Sequence, residues 1–183
     1  MFAVSLGDDG AQLRPLEPWQ AEEFLAHMDR ARDLVDPWIP FAAAAADLES
    51  ARALLRGYAD KQAADTGRIY GIWLDGTLVG GVMFRIFDAR SGTCEIGCWL
   101  EPAGQGRGLV NRASQRLIDW AFDTRGMHRV EWIASAANTR STAAAERLGL
   151  TREGVRRQAN LYRGERHDQE IWAVLADEWW AAR

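Results

Sequence analysis

A chain of 183 residues, 48% hydrophobic and 26% charged, has the size of one domain with a real core; its longest apolar runs, such as Phe41 to Ala46, fall far short of the ~20 residues that span a bilayer. A net charge of −4 argues against a nucleic-acid partner held through its phosphates. The stretch MFAVSLGDDGAQLRPL has no basic region followed by an apolar one, so the expectation is a cytoplasmic protein without a secretory signal or membrane anchor, its whole length of 1–183 forming one domain.

In chain order, AQLRPL reads as a short strand, and EPWQAEEFLAHMDRARDL as a helix with Trp19, Leu25 and Met28 at helical spacing. A second helix starts at the capping signal of Asp47 and stops at Gly67. Between them, Pro37 and Pro40 exclude regular helix and leave Trp38 and Phe41 on a loop. RIYGIWL and TLVGGVMFRIF are apolar, β-rich runs joined at Asp75-Gly76, a strong hairpin signal, and TCEIGCWL adds a third strand with Gly97 as its expected bulge. The meander is followed by a glycine turn and a helix from Gly108 to Thr124, with an apolar stripe of Leu109, Ala113, Leu117 and Ala121. The strand HRVEWIASA comes next, and strand, helix, strand predicts a parallel crossover in a mixed α+β sheet. A short helix ending at Gly149, two strands turning near Gly164 and a terminal helix in ADEWWAAR complete the chain.

Cys94 and Cys98 lie about 13 Å apart along one strand, too far for a disulfide, and are expected to be reduced and buried. His27, His128 and His167 have no ligand-like spacing, so no metal is expected.

Glycines at 104, 106 and 108 stand where a helix begins, although each costs a helix about 1 kcal/mol relative to alanine. A strand, a glycine-rich turn and a helix N-terminus together present unpaired amides and the positive end of the helix dipole, a site for a diphosphate, with Arg107 adding charge. A nucleotide P-loop would need Gly-Lys followed by Ser or Thr, which GQGRGLV lacks. A dinucleotide fold would place its glycines after an early strand of repeated βα units rather than after a meander. Coenzyme A is the third ligand class that uses this physics.

Gln105-Gly106-Arg107-Gly108-Leu109-Val110 resembles the Q/R-x-x-G-x-G/A signature of the GNAT acetyltransferases, with Val110 departing from the sixth position. Together with the DPWIPF loop, NTRSTAAAERLGLTREGVRR and the strand ending IWAVL, the chain from about 11 to 180 resembles the RimJ/RimL-like branch, which acetylates ribosomal-protein N-termini. The resemblance implies a V-splayed sheet of about seven strands and four helices, in which the strands around Glu95 to Leu100 and Arg129 to Ser135 part to admit acetyl-CoA. It places the diphosphate on residues 105–110, and the pantetheine arm and thioester carbonyl against the backbone of Trp99 and Leu100. Asn138 would contact the pantetheine arm, and Ser141 would protonate the departing thiolate. Propensity alone would also make Asn138 an N-cap with Ser141 in the same first turn.

Where some relatives carry a glutamate base, this chain has Asn160, which cannot accept a proton. Glu95, on the same strand face as Trp99, is then the candidate base, directly or through a water, with Asp168 as another. An acceptor amine would enter opposite the coenzyme, against an aromatic wall of Trp38, Phe41, Phe84 and Tyr162 beside Asn160. With a weak base the preferred acceptor is a low-pKa amine, either a protein N-terminus or a small amino compound. Alternatives are a different donor such as succinyl-CoA, or a non-catalytic acyl-CoA sensor, which the changes at Val110 and Asn160 would suit. The resemblance and the Trp-rich C-terminus are compatible with a homodimer, which nothing in the spacing requires.

Overall fold

The computed structural model describes residues 3–183. Eight strands form one sheet: β1 (Val4–Ser5), β2 (Ala11–Pro15), β3 (Arg68–Leu74), β4 (Thr77–Asp88), β5 (Thr93–Leu100), β6 (Arg129–Ser135), β7 (Thr151–Tyr162) and β8 (Glu165–Leu175). Their spatial order is β1-β2-β3-β4-β5-β6-β8-β7. Among the described residues six α-helices flank it: α1 (Ala21–Val35), α2 (Phe41–Ala44), α3 (Leu48–Ala63), α4 (Leu109–Asp119), α5 (Thr139–Arg147) and α6 (Ala176–Ala181). One buried cluster packs α1–α3 on one face of the sheet through Phe24, Met28, Leu55 and Tyr58. The other packs α4–α6 on the opposite face through Leu109, Leu117, Ala145 and Trp179. Among the described residues no helix is long and apolar enough to cross a membrane.

Local signals form the expected elements. Asp75 and Gly76, with φ of 49° and 81°, make the tight β3–β4 turn whose left-handed residues match strand twist. Asp47 caps α3, its carboxylate accepting from the Ser50 amide at 2.8 Å while the Asp47 amide donates to the Ser50 hydroxyl at 3.0 Å. The α4 stripe of Leu109, Ala113, Leu117 and Ala121 is buried as expected, but after Asp119 the helix widens into a π turn over Trp120–Thr124.

Two expectations need correction. The bulge lies not at Gly97, which pairs regularly with Met83, but at Arg85 on the neighbouring strand, between the Phe84–Ile96 and Ile86–Glu95 pairs. Phe41 is not on a loop: Pro40 is the N-cap of α2, a position where its missing N–H costs nothing.

The site depends on the central crossover. β5 and β6 are parallel and paired only from Thr93–Arg129 to Ile96–Trp132. Beyond that point Gly97–Leu100 keep their β4 partner while their other edge faces no strand, so the sheet opens into the expected splay.

Candidate active site

The open splay is the middle of one continuous cleft of about 1060 Å³. At one end lies the glycine turn, in the middle β5, β6 and the start of α5, and at the other end α1, α2 and the β7–β8 hairpin. Of the residues expected at the site, Trp38, Phe41, Glu95, Trp99, Leu100, Gln105, Gly106, Gly108, Leu109, Val110, Asn138, Ser141, Asn160 and Tyr162 all line it. Arg107 is exposed and does not line it; its carbonyl accepts from Arg112 at 3.0 Å. Phe84 is a correction: it is fully buried against Phe87 and Trp120, because β4 is covered on both faces. Asp168 also lies off the cleft, its carboxylate accepting from the Gln158 amide at 2.8 Å, where it holds the left-handed Gln158 bulge in β7.

The glycines of the turn separate by role. Gly106 and Gly108 have φ of 74° and 67°, and a Cβ on either would meet nothing within 4 Å. They therefore provide left-handed backbone and leave space above it. Gly104 has another reason, since a Cβ there would sit 2.8 Å from the Leu100 side chain. Among the described residues, the amides from Gly106 to Asn111 find no backbone or side-chain acceptor, the first satisfied one being Arg112, bonded to the Gly108 carbonyl. Arg112 braces the turn from behind, binding the Arg107 and Leu6 carbonyls and the Asp9 carboxylate, and its guanidinium pulls the Asp9 pKa down to about 2. Open space, consecutive free amides and a helix dipole fit a diphosphate.

At the splay, Asn138 is the N-cap of α5, its side chain accepting from the Ser141 amide at 3.2 Å. The same cap holds Ser141 at the cleft wall, where its Oγ accepts a hydrogen bond from the Trp132 indole at 2.9 Å. The N-cap reading of Asn138 therefore holds, and the capping residue also lines the cleft.

Glu95 is buried, 5% exposed, and both its oxygens are taken by Arg85, at 2.7 Å from Nε and 3.1 Å from the second guanidinium nitrogen. It is the sole carboxylate among the cleft-lining residues. The far end of the cleft is roofed: the Tyr162 hydroxyl donates to the Asp36 carbonyl at 2.6 Å, tying the β7–β8 hairpin to the segment after α1. Phe41 packs edge-on against Trp99 and Tyr58, with centroids 5.2 and 6.2 Å away.

Residues 11–151 match the family model described as Acetyltransferase (GNAT) domain. The chain belongs to the GNAT acetyltransferases. It is 29% identical over 172 residues to the putative ribosomal N-acetyltransferase YdaF of Bacillus subtilis, covering 91% of this chain and 92% of that protein. Among solved structures, a probable acetyltransferase superposes with a TM-score of 0.89 at 27% identity, covering 98% and 99% of the two chains. The fold is shared with RimL, the ribosomal L7/L12 alpha-N-protein acetyltransferase solved with coenzyme A, at a TM-score of 0.90, 19% identity and coverage of 96% and 99%.

In this GNAT enzyme, groups that no sequence motif marks hold the site from behind. Buried His27 accepts from the Trp99 indole N–H at 2.9 Å through Nε2, which fixes its proton on Nδ1, where it donates to Glu101 at 2.8 Å. Arg30 joins the same Glu101 oxygen at 2.9 Å and reaches the Leu78 carbonyl. This network pins the open end of β5 to α1, and burial pushes the His27 pKa down against the pull of Glu101. No local signal marked it, because His27 and Trp99 are 72 residues apart. The cysteines are free: Cys94 is buried and Cys98 half-buried on the cleft, and burial pushes both thiols up to about 12.

Proposed function

We propose that this enzyme transfers the acetyl group of acetyl-CoA directly to a primary amine, either a protein N-terminal α-amine or a small amino compound, within a ternary complex. The observation that carries the proposal is the single cleft joining a bare amide turn to a roofed aromatic pocket through the parted strands. The names of the relatives, a putative ribosomal N-acetyltransferase and an alpha-N-protein acetyltransferase, support a terminal amine as acceptor.

In this reading the amides from Gly106 to Val110 hold the diphosphate beside Gln105, with Arg107 contributing charge from the solvent side. Asn138 contacts the pantetheine arm, and the unpartnered edge of β5 at Trp99 and Leu100 faces the thioester carbonyl. Trp38, Phe41, Tyr162 and Asn160 surround the acceptor. Amine nitrogen attacks the carbonyl carbon, the C–S bond breaks with its electron pair leaving on sulfur, and Ser141 Oγ supplies the proton to that sulfur. Glu95 takes the proton shed by nitrogen through a bridging water. Carboxylates are weak acceptors for such a proton, so the substrate's own acidity still carries part of the rate. At pH 7 an α-amine of pKa ~8 is about 10% neutral, whereas a lysine side chain of pKa ~10.4 is neutral a few times in ten thousand.

The test is release of free coenzyme thiol at pH 7, with acetyl-CoA and either a peptide bearing a free N-terminus or one blocked there and carrying lysine. Turnover at least ten-fold faster on the α-amine is expected, and equal rates refute the proposed acceptor class. Coenzyme binding without turnover on any amine identifies a sensor instead, and competition between acetyl-CoA and succinyl-CoA identifies the donor.

A further inference from the structure

Trp132 is the middle residue of β6 and sits where the parallel pairing with β5 stops, opposite Ile96. It is 2% exposed, yet it lines the cleft. Its indole N–H donates to Ser141 Oγ at 2.9 Å. An indole nitrogen can only donate, so Ser141 must be the acceptor in this pair and its own proton must point elsewhere. Among the described residues nothing accepts that proton, unlike Thr142 in the next position, whose hydroxyl donates back to the Thr139 carbonyl. Serine hydroxyls near helix starts commonly donate to a backbone carbonyl. Here the indole occupies the oxygen and leaves the hydroxyl hydrogen to the cleft.

We infer that Trp132 is a positioning residue for proton delivery: it aims the Ser141 hydroxyl at the leaving sulfur and stabilises the negative charge on Oγ as the proton departs. The inference rests on the reading of Ser141 as the proton donor. When the C–S bond breaks, the proton moves from Oγ to sulfur, and the proton that Glu95 has taken from the amine is passed on through cleft water to restore the hydroxyl. During transfer Oγ gains negative charge, so the bond from the fixed indole N–H strengthens in the transition state relative to the ground state. A fixed dipole of that kind raises kcat rather than lowering KM.

The experiment places benzothienylalanine at 132, an isostere of tryptophan in which sulfur replaces the N–H, and in parallel Trp132→Phe, each with Ser141 and with Ser141→Ala. Circular dichroism and thermal unfolding identify any variant that fails to fold, and the isostere keeps the ring's volume where Phe does not. The expected result is a fall in kcat of about five-fold for the isostere, the effect of one ordinary hydrogen bond, with KM for acetyl-CoA changed by less than about two-fold. In the Ser141→Ala background the same replacement should have no further effect, because the two residues act as a unit. An unchanged kcat for the isostere while Ser141→Ala is slow overturns the inference, and so does an equal loss in both backgrounds, which marks a packing role. If Ser141→Ala itself turns over normally, the proton-donor reading fails and the inference with it.

Discussion

Gly108→Ala tests the turn directly, because the structure separates its cost to folding from its cost to binding. Gly108 is the N-cap of α4 at φ 67° and ψ 12°, left-handed backbone that an L-residue enters at a cost of about 1–2 kcal/mol. A Cβ there touches nothing in the protein, so no steric cost is added. For a chain of this length the melting temperature should fall by about 2–8 °C. The added methyl stands in the open space above the free amides from Gly106 to Asn111, where the diphosphate is proposed to lie. Losing one charge-assisted bond there costs about 1.5–3 kcal/mol, or roughly ten- to a hundred-fold in Kd. Isothermal titration calorimetry with coenzyme A, alongside a thermal melt, measures both quantities on one preparation. A lowered melting temperature with an unchanged Kd would refute the assignment of this turn to the diphosphate.

Ser141→Ala should lower kcat at least about ten-fold while moving KM for acetyl-CoA little, read from steady-state thiol release. His27→Leu leaves the Trp99 indole without an acceptor and takes a donor from buried Glu101, which keeps Arg30; unfolding in urea should show a loss of about 1–3 kcal/mol. Because the folded-state pKa of His27 is depressed below 6.5, wild-type stability from this group is complete above that pH and is lost as pH falls through the folded pKa, a dependence the Leu variant should lack. With burial pushing both thiols well above the ordinary range, iodoacetamide at pH 8 should label the native chain at least about ten-fold more slowly than the unfolded one, followed by mass spectrometry.

What could be read in the sequence was local. Asp47 and Ser50 cap one helix within three residues, and Asp75-Gly76 makes its turn from its own dihedral freedom. The glycine turn likewise contains its whole argument between 104 and 110. The errors concern choices made by distant partners. Phe84 was expected at the acceptor, but β4 is buried from Leu78 to Phe84, so alternation could not tell which face meets the cleft. The bulge expected at Gly97 belongs to Arg85, and that extra residue is what leaves its guanidinium beside Glu95. The Tyr162–Asp36 roof spans 126 residues, and no spacing rule reaches that far.

Glu95 is where sequence and structure together sharpen the chemistry. As the sole carboxylate lining the cleft, it has two possible occupations: taking a proton from the amine through water, or only holding Arg85 in place. Glu95→Gln separates them, because the amide keeps the side chain's volume and one acceptor for Arg85 but cannot take a proton. If Glu95 is the base, the variant depends wholly on solvent to deprotonate its substrate. An α-amine of pKa ~8 goes from about 10% neutral at pH 7 to about 90% at pH 9, so the variant should gain about nine-fold over that interval. The wild type, which can take up the proton within the site, should gain less. A defect of about a hundred-fold at pH 7 that narrows at pH 9 supports the base, measured as kcat/KM on one α-amine peptide. If the defect is the same size at both values, Glu95 only anchors Arg85, and the amine must arrive already neutral.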